Sequence, residues 1–419
     1  MNNRGSCRSL RVCVCTSVEA AAEPRAPRHA ATIAALGQDF EVVFVDCAPV
    51  GDERRLVKAL AGLPNLIWRT HYFATRATSP IRRALCRARQ LGAQVWFRLS
   101  GIPTAGALST RALGLRTALE DIAAHIYFAH NIETLLPAAD AAQRRGTPLI
   151  FDSMEFHSDV GDSQTALERD IVCAIEQRWL RKCALIFASS DQIADALAAE
   201  YGIARPVAIY NVPPKENKIP LKPDTGLALY WRNAVVGLGQ RGLDEALIAL
   251  TKLPDDVSLH LQGKMPADGG ADLKEHIAGL GLKRRVIFHP PYVPEEAVQE
   301  AARHHVGLCL ERKGVRNQEL TVSNKIFDYH MAGLAVIASD LPGLRGVMER
   351  SRGGLLFEPG SASDLATKIV TLYNDRRLLN QFAANARAFA LSEASRETEM
   401  KKFVDAFRDV CRTWLRIEI

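Results

Sequence analysis

NKIFDYHMAGLAVIASDLPG, residues 324–343, fits a helix, a stop, a strand and a loop into twenty positions. The spacing predicts a helix from Lys325 to Ala332 that stops at Gly333, a residue suited to the left-handed backbone past a helix end. AVIASD (335–340) follows as an apolar strand run, closed by a Pro-Gly pair. Upstream, Thr321, Ser323 and Asn324 are residue types that cap a helix start. Lys325 is out of place in a first turn, because the positive end of the helix dipole repels it unless an anion lies close by. Asp328, one turn on, offers two oxygens to a pair of vicinal hydroxyls such as those of a ribose. Phosphate and ribose together mean a nucleotide. The alternative is that Lys325 and Asp328 only decorate a solvated helix face.

The same alternation extends in both directions. RVCVCTS (11–17), FEVVFVDC (40–47), HIYFAHN (125–131), TPLIFDSMEF (147–156), ALIFASS (184–190) and VAIYNVPP (207–214) read as strands separated by helical patterns. A Pro- and Lys-rich stretch near residue 215 reads as a linker. The pattern then restarts with LALYW (227–231), VSLHLQG (257–263), RVIFHPPY (285–292), VGLCLE (306–311), AVIASD and GLLFEPG (354–360). Strands alternating with helices imply parallel sheets covered on both faces. The expected fold class is α/β, with two doubly wound, Rossmann-like parallel-sheet domains facing across a cleft. The expected division is 1–212, 213–395, and a terminal helix over 396–419 that packs back on the first domain. Ligands of such sheets sit beyond the carboxyl ends of the strands, so the cleft is the expected site.

At 419 residues, 47% hydrophobic and 24% charged, the composition is that of a soluble globular chain. The nine cysteines follow no disulfide or zinc spacing, which points to a reducing compartment. The start reads as a first strand and not a signal peptide, and no run has transmembrane length. A cytoplasmic protein is expected. The net charge of +6 is unevenly placed: from Arg54 to Leu119 there are twelve Lys and Arg and no acid. Within residues 78–99, Arg82, Arg83, Arg87 and Arg89 lie near Trp96 and Phe97 on a probable helix. That arrangement suits an anionic membrane surface or a phosphorylated acceptor, and equally a solvated face. No nucleic-acid module accompanies it, so nucleic acid is not an expected partner.

The stretch NKIFDYHMAGLAVIASDLPGLRGVM, followed by GGLLFEPGSASDLATKIVTLYND, resembles the donor-binding half of retaining glycosyltransferases of the GT-B fold, family four. That family carries an "NKxFEYMAAGxPVIASDxPG" segment that binds the nucleoside diphosphate of a nucleotide sugar. IYFAHNIETLLPA, TPLIFDSMEFH, AIYNVPP and EPRAPRHAATIAAL resemble its other segments, in the right order. Two positions depart from the pattern. Asp328 stands where the family has Glu, and Leu320, eight residues earlier, stands where the family often has a Glu that contacts the sugar. Glu319 is the neighbouring carboxylate.

The resemblance implies a second phosphate clamp in LYWRNAVVGLGQRGLDEAL, with Gly237 and Gly239 admitting the ligand to the backbone and Arg241 and Arg232 meeting the diphosphate. It sets the base pocket near Gly263 and Tyr292, and the donor-binding helix start at Ser323 and Asn324. In the first half, Asp152, Glu155 and His157 follow a strand, with Met154 where the family has His. His130 ends another strand. These four residues are the acceptor-side candidates, with Glu155 and His157 positioned to orient an acceptor hydroxyl. No cofactor and no metal is implied, since basic side chains take the diphosphate charge.

The expected activity is a retaining, metal-independent glycosyltransferase. It would move a sugar from a nucleoside-diphosphate sugar to a glycan or lipid-linked acceptor in cell-surface polysaccharide synthesis, in the cytoplasm or peripherally at the inner face of the membrane. The rivals are a nucleotide-sugar epimerase on the same fold and a glycosyltransferase-like binding protein without turnover.

Overall fold

The computed structural model describes residues 9–50, 57–73, 78–161, 164–220, 222, 226–291 and 293–417. Tyr292, expected near the base pocket, lies outside the described residues. The chain divides into two compact units, Met1–Ile209 with Met400–Ile419, and Tyr210–Glu399.

The first unit is built on β1 (Leu10–Thr16), β2 (Phe40–Pro49), β3 (Leu66–Phe73), β4 (Ile126–His130), β5 (Leu149–Ser153), β6 (Leu185–Ala188) and β7 (Val207–Ala208). They form one parallel sheet in the order β3-β2-β1-β4-β5-β6-β7. β3 was not anticipated. Its sequence, LIWRTHYF, alternates with charged or polar groups and is only partly buried, so the basic stretch masked it.

The second sheet contains β8 (Leu227–Val235), β9 (Val257–Lys264), β10 (Val286–His289), β11 (Val306–Cys309), β12 (Ala335–Ser339) and β13 (Gly354–Phe357), in the order β10-β9-β8-β11-β12-β13. The central strands β11 and β12 are buried along their whole length and read as continuous apolar runs, as parallel strands under helices must. Alternation along them sorts the core into two layers. Leu229 and Trp231 of β8, Leu308 of β11 and Ile337 of β12 pack on one face. Tyr230, Cys309, Val336 and Ala338 pack on the other, against Ile326, Phe327 and Tyr329 of the helix Lys325–Met331. In both sheets the connections reverse direction beside the first strand, between β1 and β4 and between β8 and β11. Such switch points are where open α/β sheets hold ligands.

The helix Lys325–Met331 ends as its sequence predicts. Gly333 has φ +67°, Gly333 N–H donates to His330 O, and Leu334 N–H donates to Tyr329 O at 3.0 Å, a Schellman closure. Its start differs, because Asn324 caps the first turn with no side-chain hydrogen bond.

The unit boundaries fall after Ile209 and after Glu399, against the expected 212 and 395. Hydrogen bonds set them there. Tyr210 N–H donates to the Glu399 carboxylate at 2.8 Å, and Arg396 N–H donates to Pro213 O at 2.8 Å. Residues 400–419 belong to the first unit, where Phe403 and Phe407 enter the core beside Phe128 and Phe44.

Candidate functional site

β8 and β11 bring the basic residues of the second unit together. Arg232 lies two residues after Tyr230, on the same face of β8, and is buried. Its guanidinium pairs with the Asp328 carboxylate, and its Cζ lies 5.8 Å from the Tyr329 ring centroid. Asp328 therefore does not stand free for a ribose, as its sequence position suggested: Arg232 already engages one of its oxygens. Desolvation raises the Asp328 pKa, and the Arg232 charge beside it works in the opposite direction.

The second ion cluster centres on Glu311, two residues beyond β11, which the sequence reading did not select. Its backbone is locked to Ser339 by two hydrogen bonds of 2.8 Å, one donated by Glu311 N–H and one by the Ser339 hydroxyl. Its buried carboxylate accepts from Arg241 Nη1 at 2.7 Å and lies 3.6 Å from Lys325 Nζ. Lys325 is 7% exposed, and its Nζ makes no hydrogen bond among the described residues. Trp231 joins the parts, since its indole N–H donates to Arg241 O at 3.1 Å and its ring centroid lies 6.0 Å from Lys325 Nζ. Cys309, buried at the end of β11, feels the charges of Lys325, Glu311, Arg241 and Arg232 together, while desolvation holds its thiol up at about 12.

Local backbone geometry fixes the Arg241 side of the cluster. Arg241 has φ +33°, an uncommon region for a residue with a Cβ. Gly242 follows at φ +71°, and a Cβ there would come within 2.5 Å of Leu310 Cβ. The side chain of Arg241 remains 48% exposed. Gly237 lies against Pro266, and Gly239 N–H is taken by the Asp244 carboxylate at 2.9 Å.

The remaining donor-side candidates have structural partners. At Gly263, an added Cβ would meet Asn233 O at 2.2 Å, so this glycine permits the close approach of β8 and β9. Glu319 is turned back on its own loop, where it accepts from Gly314 N–H at 2.9 Å. Ser323 is half-buried and Asn324 exposed at the helix start.

In the first unit the strand-end residues turn inward. Asp152 is fully buried and receives Arg25 through two hydrogen bonds, Nε at 2.6 Å and Nη2 at 2.9 Å. His130, also fully buried, places Nε2 2.9 Å from His29 Nδ1. Desolvation lowers the His130 pKa to about 4 and moves His29 further in the same direction. His130 and Asp152 thus form an internal lock with Arg25 and His29, and present no exposed surface to an acceptor. The loop after β5 differs. Glu155 is exposed, while His157 is buried, with its Nε2 free of hydrogen bonds among the described residues and its pKa lowered to about 4 by burial.

Comparison with known proteins bears on both units. Residues 21–213 match the family model of the Glycosyl transferase 4-like domain, and residues 235–375 match that of Glycosyl transferases group 1. The chain belongs to the group 1 glycosyltransferases and is a transferase. Comparison with curated protein sequences finds no match. Among solved structures, the chain is similar to Anabaena HepE in complex with UDP, at TM-score 0.69 and 16% identity over 96% of this chain and 100% of that one. Sucrose-phosphate synthase from Thermosynechococcus elongatus gives TM-score 0.70 at 15% identity, covering 96% and 99%. The lipopolysaccharide outer core galactosyltransferase WaaB gives 0.61 at 14%, covering 95% and 99%. At such identities the likeness establishes the GT-B fold. Among the described residues no helix is long and apolar enough to cross a membrane, and the eight described cysteines are all free.

Proposed function

We propose that the second unit binds the diphosphate of a nucleotide sugar at Lys325, Arg241 and Arg232, and that the enzyme transfers the sugar with retention of configuration to a glycan or lipid-linked acceptor. One observation carries this reading. Among the described residues, Lys325 holds a buried ammonium with no hydrogen bond, in a cluster of three cations on two carboxylates. A buried charge with an incomplete set of partners is costly unless a ligand completes it. A diphosphate supplies the missing acceptors and cancels the excess positive charge. During transfer the negative charge on the leaving diphosphate grows, and fixed cations in a low-dielectric pocket stabilise that change most.

Retention follows the family resemblance, as do Glu155 and His157 as acceptor-side residues. Asp328 takes the ribose hydroxyls with its second oxygen, steadied by Arg232. Asp328→Asn should then weaken ribonucleotides more than their 2′,3′-dideoxy analogues. Equal losses would make Asp328 a structural residue. HepE is solved with UDP, so uridine nucleotides are the first probes. Titration with UDP, GDP and ADP, followed by product analysis with and without acceptor oligosaccharides, tests the reading. Conversion of the sugar nucleotide without acceptor would favour an epimerase, and binding without any conversion a non-catalytic protein.

A second observation supports an acceptor held at an anionic membrane surface. The helix Pro80–Ser100 has no buried residue. Steps of about 100° per residue place Ile81, Leu85, Leu91, Val95, Trp96 and Leu99 in one arc of about 140°. Ile81 and Leu99 are each 82% exposed. Arg82 and Arg89 flank the arc on one side, Arg87 and Arg98 on the other. The opposite face is the one that holds to the protein, through Gln90 to Leu108 O and Gln94 to Ala107 O. Each arginine near anionic lipid contributes about 1 kcal/mol. Vesicle co-sedimentation at low salt should retain the enzyme on anionic but not neutral lipid. Changing Arg82, Arg83, Arg87 and Arg89 to Gln should release it. No binding at low salt would return the helix to a solvated face.

A further inference from the structure

Three histidines converge beside the edge strand of the second sheet. His260 lies in β9, His289 is the last residue of β10, and His304 follows the helix Ala297–Ala301. One nitrogen from each lies within 4.8 Å of the others, and His260 Nδ1 is 2.8 Å from His289 Nε2. We propose that His260 Nδ1, His289 Nε2 and His304 Nε2 bind a divalent transition-metal ion, zinc by preference, with water in the fourth position.

The spacing suits tetrahedral zinc. Zinc–nitrogen distances of about 2.0–2.1 Å require about 3.4 Å between ligand nitrogens. The observed separations, 2.8 Å for one pair and at most 4.8 Å for the others, bracket that value, so small ring rotations complete the site. Two of the outer nitrogens are already held, as those of metal-binding histidines usually are. His304 Nδ1 is 3.1 Å from Ala301 O, and His260 Nε2 is 3.1 Å from Ser258 Oγ. His260 and His289 are partly exposed while His304 is buried, which leaves an entry path and an open coordination position.

A second group of potential ligands, His29, His130 and Asp152, lacks this capacity, because Arg25 holds both Asp152 oxygens in a fully buried setting. The edge site has a structural consequence instead. His304 stacks on Tyr230 with ring centroids 4.4 Å apart, and Tyr230 precedes Arg232 in β8 by two residues. A bound ion fastens the β10 edge to the strand that carries Arg232.

The test uses tag-free full-length protein, stripped with EDTA and then equilibrated with zinc or cobalt(II). Wild type should retain about one zinc per chain by elemental analysis, show the visible absorption of tetrahedral cobalt, and melt at a higher temperature with zinc than with EDTA. His289→Gln, at the edge of the sheet, and His260→Gln should each weaken zinc binding more than about tenfold while melting as wild type does in EDTA. Wild type that takes up no zinc at micromolar free metal overturns the proposal. So do variants that bind zinc as tightly as wild type. If a variant fails to fold, the metal content and cobalt spectrum of the wild type alone decide.

Discussion

Both units place charged side chains at the carboxyl ends of their central strands, and the two clusters end in opposite states. Beyond β4 and β5, Arg25 meets Asp152 through two hydrogen bonds, with His29 and His130 filling the remaining space as uncharged rings. The Arg25 guanidinium and the Asp152 carboxylate that it meets are both buried. Beyond β8 and β11, Arg232 pairs with Asp328, and Arg241 and Lys325 share Glu311, with Lys325 Nζ lacking a hydrogen bond among the described residues. The sheets share their strand order from the edge through the switch point. Position in the fold nominates a site; the hydrogen bonding of the cations separates the structural lock from the proposed anion receptor.

The sharpest break of that contrast is Asp152→Asn. It removes the charge that takes two hydrogen bonds from the buried Arg25 guanidinium, which should cost about 3–5 kcal/mol, read as a drop in the denaturant midpoint of the first unit. Nucleotide affinity measured on the folded fraction should hardly move. A midpoint shift under about 1 kcal/mol, the scale of an exposed pair, would show that the lock is not energetically closed. Next comes Arg241→Gln, which removes the half-exposed arm of the receptor. UDP binding should weaken by about 1.5–3 kcal/mol, the range for a hydrogen bond to a charged group, with no loss of stability beyond about 1 kcal/mol. Unchanged affinity would remove Arg241 from the clamp.

A smaller effect concerns pH. The His130 pKa is held down at about 4, below its ordinary value of 6.5, so between those values the unfolded chain binds more protons than the folded one. Stability is therefore fully present above about pH 6.5 and falls as pH drops toward 4, by less than about 1.4 kcal/mol per pH unit for one group. His130→Gln should flatten that dependence, whatever it does to overall stability. An unchanged slope would mean that His130 does not report on the lock.

The alternation of strands and helices was legible because buried parallel strands read as unbroken apolar runs. The unusual setting of Lys325 was legible as well, since a lysine in a first helical turn conflicts with the dipole unless something anionic is near, and the structure sets Glu311 3.6 Å from its Nζ. Glu311 was not. Nothing local marks it, and its role depends on where β11 ends relative to Arg241, 70 positions earlier. The inward turn of Asp152 and His130 was hidden for a similar reason: their partners Arg25 and His29 lie 127 and 101 positions away in sequence. β3 was concealed by the arginine and histidine that alternate through an edge strand.

Lys325→Met, followed by paired measurements of UDP affinity and unfolding midpoint, tests the central claim most directly. Methionine keeps an unbranched side chain of nearly the same length beside Trp231 while deleting the charge. If Lys325 is an incompletely partnered cation held for a diphosphate, UDP binding falls by about 1.5–3 kcal/mol, while the midpoint stays level or rises, because a costly buried charge has gone. If affinity is unchanged, or if stability falls along with it, Lys325 is a structural partner of Glu311, and the second cluster is a lock like the first.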